Sequence, residues 1–585
     1  MIKTPKIIER KTHSQIFQQA KMLGLTDLQA KLVANRLDDA EHMHAIVTPQ
    51  LKNLQPPSEL KNANQAAQII AQAIQGSGQI VLATDYDTDG VTSAWVAKTA
   101  LIDFFGVNAQ RVEHIIGERA SGYGITDEVV DRILAIDKPI ELVISADQGS
   151  SDEPRIQRLA QVGISVCVTD HHQMPQEGVP LSAVCTVNPQ QQGCVYDKTI
   201  AGCFVIFLVM AQVRQELIKV GYLSSDAPTL KSLACNVALG TVADSVSLKS
   251  PNNRAIVRAG LQQINQFTIP AWQAMRQLND NNKQPYDAEF LGFQVATRIN
   301  AASRVSDVTT AYHFLTATNV EQAAFFLQQL DEDNQNRRAQ QEEMLTQAKD
   351  LAAQLYHPER YSLAIKMEGN AGIQGIIASR IGEKYGVPTV AMTDLQDGFL
   401  AGSGRGIVPE MDLRAAFQWM SEQEPQMFKS MGGHKGAAGC MIPLERYEQF
   451  SELFELAVQK QLPSAPYPLI ETDGALSSWQ LTPQLIDEIS ALEPFGREWP
   501  KPLFSGRFLV DQVKAVGQTK VHLSLKLLSE DRQRFGAIYF NALHNQGDAL
   551  PFDSGDWIEC AYQPALNNFM GNTSLQLRLS SAKAV

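Results

Sequence analysis

The chain is expected to be an α/β protein: two α/β domains joined by a long helix, followed by an all-β module resembling an OB-fold. Three observations predict this. From residue 79, apolar strand-like segments alternate with helical ones, as in a parallel sheet with crossover helices. Residues 318–357 contain no Gly or Pro and are rich in helix formers. After about residue 465, VHLSLKLL, RFGAIYF and SLQLRLS alternate with period two between Asn, Gly and Pro breaks.

In chain order, residues 1–50 read as a helical segment. QIVLATD (79–85) is a strand and VTSAWVAKTALIDFF a helix; ELVISAD (141–147) and ISVCVTD (164–170) are further strands, each ending in a polar turn. NVALGTVAD (236–244) resembles them, or begins as a buried helix. These fall in a first α/β domain over 51–260. A connecting helical region spans 261–355, and its last helix, if continuous from 318, is roughly 60 Å long at about 1.5 Å per residue. A second α/β domain follows over 356–460, with LAIKM and PTVAM as strands, and the β module occupies 465–585.

At 585 residues the chain exceeds a single core, and its 44% apolar and 19% charged residues are those of a soluble globular protein. No apolar run of 18 residues occurs and MIKTPKIIERK is too polar to open a signal peptide, so a cytoplasmic protein without membrane contact is expected. Seven scattered cysteines without a CxxC pair argue against a disulfide framework or a zinc knuckle. The net charge of −13 argues against coating nucleic acid through bulk positive charge. It leaves room for a local basic groove, or for a site where bound cations supply the charge.

Such a site is suggested by TDYDTDGVTSAW (84–95). Asp85, Asp87, Asp89 and Gly90 match the first half of a calcium-binding EF-hand loop, but the twelfth position, which must be a bidentate Glu, is Val96. A solvated acidic turn is the plain alternative. Against it, the other strand-like segments end on Asp147, on Asp170-His171-His172 and on Asp244. In an open parallel sheet the carboxyl ends of the strands share one crevice. So many carboxylates there require divalent cations, and a set of oxygens with one or two imidazoles suits Mn²⁺ or Mg²⁺.

DYDTDG, SADQG, TDHHQMP and ALGTVADSV resemble the four motifs of the DHH phosphoesterases, and an Asn-Pro after DHH brings the chain nearest the RecJ family. The resemblance continues through GYGIT (122–126), TRINAASRV (297–305), GSGRG (402–406), GGHKGAAG (432–439) and LEPFG (492–496), covering most of residues 45–510. It implies a DHH catalytic domain, a DHHA1 substrate-gripping domain and a 5′→3′ exonuclease specific for single-stranded DNA, acting in repair and recombination. It further implies two-metal hydrolysis of phosphodiesters. One ion would lie between Asp87 and Asp147, with Asp85 completing the site. The other would be held by Asp89, Asp147, His171 and Asp244, with Asp147 bridging. His172 would face the scissile phosphate, and Asp170 would orient its neighbours. By the same resemblance a single-stranded-DNA-binding protein and a recombination helicase are expected partners.

Ser403, Arg405, Gly432, Gly433 and His434 fit a phosphate-binding surface, although GSGRG and GGHKG also read as ordinary turns. Arg298, Asn300 and Arg304 in TRINAASR are candidates for the same groove, the arginines also for surface ion pairs. Three departures from the family bear on substrate handling. Asn370 stands where His usually precedes GxxG. Glu118 replaces the Arg of PNRxxxGYG, with Arg119 one residue later. Gly406 replaces a Ser. Tyr539, Phe540 and Trp557 would stack on bases, or belong to the core. Two other classes compete: a phosphodiesterase on short oligonucleotides or RNA, and a non-catalytic replication scaffold. The long helix and β module favour a polymer substrate, and the intact ligand set favours an enzyme.

Overall fold

The computed structural model describes residues 3, 5–279, 284–543, 546–569 and 572–585. The chain divides into two units: residues 13–335 with 490–501, and residues 1–12 with 336–489 and 502–585.

The first unit is built on a five-stranded, all-parallel sheet. Across it the strands run Val112–Ile116, Gln79–Thr84, Ile140–Ala146, Val166–Thr169, Cys185–Val187. Gln79–Thr84 is buried at every position, as expected of a strand covered on both faces. One face carries Val81, Ala83, Val143 and Val168 packed on Val129, Ile133, Ile156 and Leu159. The other is covered by the helices Ala63–Gln75, Thr88–Thr99 and Gly202–Lys219, and the helix Ala234–Ala243 packs on the last two. The chain leaves Gln79–Thr84 for one neighbour and then crosses to the other, Ile140–Ala146, so the sheet changes winding direction between these two strands. That is where an open α/β sheet forms a crevice at its carboxyl edge.

NVALGTVAD is not a strand. Residues 234–243 form a helix, buried from Ala234 to Thr241, and Asp244 caps its C-terminus. A segment buried on all sides shows no periodicity, so its apolar run alone could not separate the two. The N-terminal segment is helical over Ser14–Met22, Asp27–Ala34 and Met43–Val47, but Lys6–Glu9 is a strand, paired in parallel with Leu469–Thr472. The long helix is continuous over Val320–Leu355.

In the second unit a five-stranded mixed sheet has the order Ser430–Gly433, Ala437–Pro443, Phe399–Arg405, Thr389–Asp394, Leu363–Met367. The period-two rule is visible in its last strand: Leu363, Ile365 and Met367 meet Met344, Ala348 and Ala352 of the long helix, while Ala364 faces Phe450 and Phe454. Five further strands, Phe504–Val516 to Asn572–Ala584, close into a barrel in which the first pairs with both the second and the fourth and the third with the fifth, in parallel. This is the five-stranded barrel expected for an OB-fold. Phe540 is exposed on it, whereas Tyr539 and Trp557 are half-buried. No helix among the described residues is long and apolar enough to cross a membrane.

Candidate metal centre

The aspartate loop follows the Gln79–Thr84 strand and turns directly into the Thr88–Thr99 helix. Asp87 is its N-cap: one oxygen accepts from the amides of Asp89 and Gly90 at 2.9 and 3.2 Å. Gly90 is required by proximity, since a Cβ there would lie 2.2 Å from the carbonyl oxygen of Asp85. The EF-hand likeness thus comes from a cap and a close turn. Asp89 points the other way and accepts from the amides of Gly202 and Cys203 at 2.7 and 2.8 Å, at the N-terminus of the Gly202–Lys219 helix, where the helix dipole favours an anion.

Asp147 follows the neighbouring strand with φ 63°, a backbone conformation unfavourable to any residue but Gly. A Cβ on Gly202 would stand 2.5 Å from its Oδ1. Neither Gly202 nor Tyr123 was singled out from the sequence, although Tyr123 lies in GYGIT.

These residues gather with His171 and Asp244. His171 Nε2 lies 3.2 Å from Asp147 Oδ1, 3.6 Å from Asp244 Oδ2 and 3.7 Å from Asp89 Oδ2. Three groups bring their donor atoms within 4.8 Å of one another: Asp85, Asp87 and Asp147; Asp89, His171 and Asp244; Asp147, His171 and His172. Asp147 thus belongs to two of the groups, and so does His171. Burial, reinforced by the neighbouring carboxylates, raises Asp85, Asp87, Asp147 and Asp244 above the usual carboxylate range. Burial and the adjacent His172 lower His171. Asp85 Oδ1, Asp147 Oδ1 and His171 Nε2 are buried without a hydrogen-bond partner. Unpartnered oxygens and an imidazole nitrogen converging on one buried spot are a donor set that fits hard divalent cations such as Mn²⁺ and Mg²⁺.

Asp170 stands behind this cluster. Its oxygens accept from the amides of His171, His172 and Ser150 at 2.7, 3.1 and 3.0 Å, and from His172 Nδ1 at 2.8 Å. Burial alone would raise Asp170, but the bond and charge of His172 carry it well below the carboxylate range. Burial alone would lower His172, yet Asp170 raises it to about 9. Asn188, the Asn of the Asn-Pro, donates to the His172 carbonyl at 2.9 Å and fixes the turn from the far side.

Three domain families match the chain: the DHH family N-terminal domain over residues 79–241, the DHHA1 domain over 360–460 and the RecJ OB domain over 472–581. The single-stranded-DNA-specific exonuclease RecJ of Dickeya dadantii is 32% identical, over 88% of this chain and 90% of that protein. The Escherichia coli protein of the same name is 30% identical, over 90% and 91%. The chain belongs to the RecJ family. The same fold is found in RecJ of Thermus thermophilus, solved in complex with Mn²⁺: TM-score 0.76, 23% identity, 99% of this chain and 79% of that one.

The remaining residues singled out from the family likeness divide between the units. Around the metal centre, Asn300 Oδ1 accepts from the amide and hydroxyl of Thr88 at 2.9 and 2.8 Å and so holds the aspartate loop. Arg298 is committed to an ion pair with Asp331 at 2.8 Å, the alternative open to it from sequence. Arg119 lies 4.3 Å from the ring centre of Tyr86, and the charge of Arg304 also acts on that phenol. In the DHHA1 domain, sheet register places Gly432, Gly439 and Ser403 in one row across three strands. Arg405 donates to Ser403 Oγ at 3.1 Å, and a Cβ on Gly375 would sit 2.4 Å from its guanidinium. His434 pairs through its amide with Ala437, and Gly433 ends the edge strand. Asn370 spends its side chain locally, accepting from Gly372 and donating to Gln340 of the long helix at 2.8 and 3.0 Å.

Proposed function

We propose that the chain is a metal-dependent exonuclease that degrades single-stranded DNA from the 5′ end, acting in the cytoplasm in DNA repair and recombination. The observation that carries this is the buried convergence of Asp85, Asp87, Asp89, Asp147, His171 and Asp244, with unpartnered donor atoms, at the carboxyl edge of the parallel sheet. Asp85, Asp87 and Asp147 would hold one ion; Asp89, Asp147, His171 and Asp244 the other. Two divalent ions bound there supply Lewis-acid polarisation of the phosphodiester and lower the pKa of the attacking water.

The chain's own groups do the rest. His172, held on Asp170, faces the scissile phosphate with a positive charge, and Asp170 fixes the proton on Nδ1. Arg119 and Arg304 flank the aspartate loop and line the strand's path. Ser403, Arg405, Gly432, Gly433 and His434 grip its backbone phosphates. The working division is 1–50, a catalytic domain over 51–260, a connector over 261–355, a gripping domain over 356–460 and a single-strand-binding module over 465–585, which the domain matches support in outline. A single-stranded-DNA-binding protein and a recombination helicase are the partners this role needs.

The test is digestion of 5′- and 3′-labelled single and double strands with Mn²⁺, Mg²⁺ or EDTA. Loss of 5′-terminal nucleotides from single strands only, abolished by EDTA, is expected. Activity confined to dinucleotides identifies a short-oligonucleotide phosphodiesterase instead, and no activity with either metal identifies a scaffold.

A further inference from the structure

Residues 490–501 come late in the chain yet belong to the catalytic unit. Two arginines from far upstream hold them there. Arg254, fully buried, donates to the carbonyls of Leu492, Glu493 and Pro494 at 2.8, 3.3 and 2.9 Å, and its guanidinium lies 4.6 Å from the ring centre of Trp499. Arg36 donates twice to the carbonyl of Pro500, at 3.1 and 2.9 Å. Between these anchors the chain makes a tight turn in which Gly496 and Trp499 exchange main-chain hydrogen bonds of 2.9 and 3.2 Å.

The tip of that turn grips the loop that leaves Asp244. The Arg497 carbonyl accepts from Leu248 at 2.9 Å, the Arg497 guanidinium donates to the Ser245 carbonyl at 3.2 Å, and Ser247 Oγ donates to Glu498 Oε2 at 2.6 Å. Ser245 and Glu498 both have left-handed backbones, with φ of 55° and 60°. Such conformations persist where their surroundings over-determine them.

Asp87, Asp89 and Asp170 are each oriented by main-chain amides. Asp244 follows the last turn of its helix, where carbonyls and not amides are exposed, and no amide among the described residues orients its carboxylate. The negative end of the helix dipole also disfavours a carboxylate there, and the positive charge of Arg497 counters it.

We infer that the Gly496–Trp499 turn is a brace for Asp244, in which Arg497 and Glu498 are positioning residues that hold this carboxylate against Asp89 and His171. The inference rests on the reading of Asp244 as a metal ligand. It makes LEPFG and the residues after it part of the metal centre, although they precede the barrel in sequence.

The experiment titrates the full chain with Mn²⁺ alone, following free Mn²⁺ by electron paramagnetic resonance, for wild type, Asp244→Ala, Arg497→Ala and Ser247→Ala. Two ions are expected in wild type, and loss of the weaker one in Asp244→Ala. In Arg497→Ala and Ser247→Ala both ions bind, but one about tenfold more weakly, the size of effect that residues orienting a ligand have on metal affinity. Nuclease activity of these two variants recovers at high Mn²⁺, and the metal-free proteins melt like wild type. Unchanged Mn²⁺ binding in both, beside an Asp244→Ala protein that has lost an ion, overturns the brace alone. An Asp244→Ala protein that still binds two ions overturns the metal reading beneath it. Should Arg497→Ala fold poorly, Ser247→Ala, which removes only a hydroxyl, decides the matter.

Discussion

The hydroxyl of Tyr123 donates to the main-chain carbonyl of Asp147 over 2.9 Å, and the same oxygen lies 2.7 Å from Nδ1 of His172. With the Nδ1 proton of His172 directed to Asp170 and to the Tyr123 oxygen, the phenol O–H is left to donate to Asp147. One phenol therefore holds both the left-handed backbone of Asp147 and the imidazole of His172. Tyr123→Phe keeps the ring and removes this link. The turnover rate on saturating single strands should fall about tenfold, the equivalent of one hydrogen bond, with KM little changed. If the ring instead only stacks on a base, the Phe variant keeps its kcat and Tyr123→Ala raises KM; steady-state kinetics on both decides.

Asp147→Ala should abolish cleavage without unfolding the chain. Asp147 shares donor distances with Asp85 and Asp87 on one side and with His171 and His172 on the other, so one substitution disrupts both candidate ion sites. Bound ions contribute several kcal/mol to such reactions, so a rate loss of about a thousandfold or more is expected. Circular dichroism run alongside the nuclease assay checks it; a folded variant with near-native rate defeats the two-metal reading.

The parallel sheet and its polar strand ends were legible because buried strands write continuous apolar runs and their ends do not. Asp85, Asp87, Asp89, Asp147, His171 and His172 could be placed in one crevice on that basis alone. Asp244 was placed there for a partly wrong reason, since it ends a helix and not a strand. What sequence could not convey were contacts between distant segments with no local signature. The Lys6–Glu9 strand exists only through its partner at Leu469–Thr472. Arg298 resembles any groove arginine until Asp331 is seen beside it, and Tyr123 any exposed aromatic until its two partners are in place.

Without metal, the four raised carboxylates contribute to stability with the sign opposite to that of an ordinary ion-paired carboxylate. Asp85, Asp87, Asp147 and Asp244 are raised in the folded chain, so the stability linked to them is present below the ordinary carboxylate range and is lost as pH rises through their folded values. His172, raised to about 9, acts in the same sense, losing its contribution as pH climbs from its ordinary value through about 9. The metal-free chain should melt at higher temperature at pH 6 than at pH 9. With saturating Mn²⁺ the trend should flatten or reverse, because the ion binds the deprotonated groups. Thermal melts across that range with Mn²⁺ and with EDTA test both halves.

Two truncations should behave differently. A chain ending at 501 keeps the segment caged by Arg254 and Arg36; a chain ending at 464 leaves the buried Arg254 guanidinium without three of its carbonyl partners. A buried charge stripped of its partners costs several kcal/mol. The shorter chain should therefore be poorly stable and weak in Mn²⁺ binding. The longer one should bind Mn²⁺ and cleave saturating short strands while losing affinity for a 40-mer. Equal 40-mer affinity with and without residues 502–585 removes the barrel from strand binding.

Arg405 bears on the departures from the family pattern. Asn370, where the family usually has His, cannot carry positive charge, and its amide is occupied by Gly372 and Gln340. Gly406 lacks the usual hydroxyl, and Glu118 would repel phosphate. Arg405 has no carboxylate partner among the described residues; its guanidinium rests on Ser403 and the Gly404 carbonyl, in space kept open by Gly375. On the proposed function it would be a charged clamp on the strand where the family's other phosphate contacts are weakened. Arg405→Ala should raise KM for single strands ten- to hundredfold, since a charge-assisted contact is worth roughly 1.5–3 kcal/mol. The wild-type enzyme should depend less on a 5′-phosphate than its relatives. Rates on 5′-phosphorylated and 5′-hydroxyl oligonucleotides, for wild type and Arg405→Ala, test both points: a strict 5′-phosphate requirement defeats the second, and an unchanged KM in Arg405→Ala defeats the first.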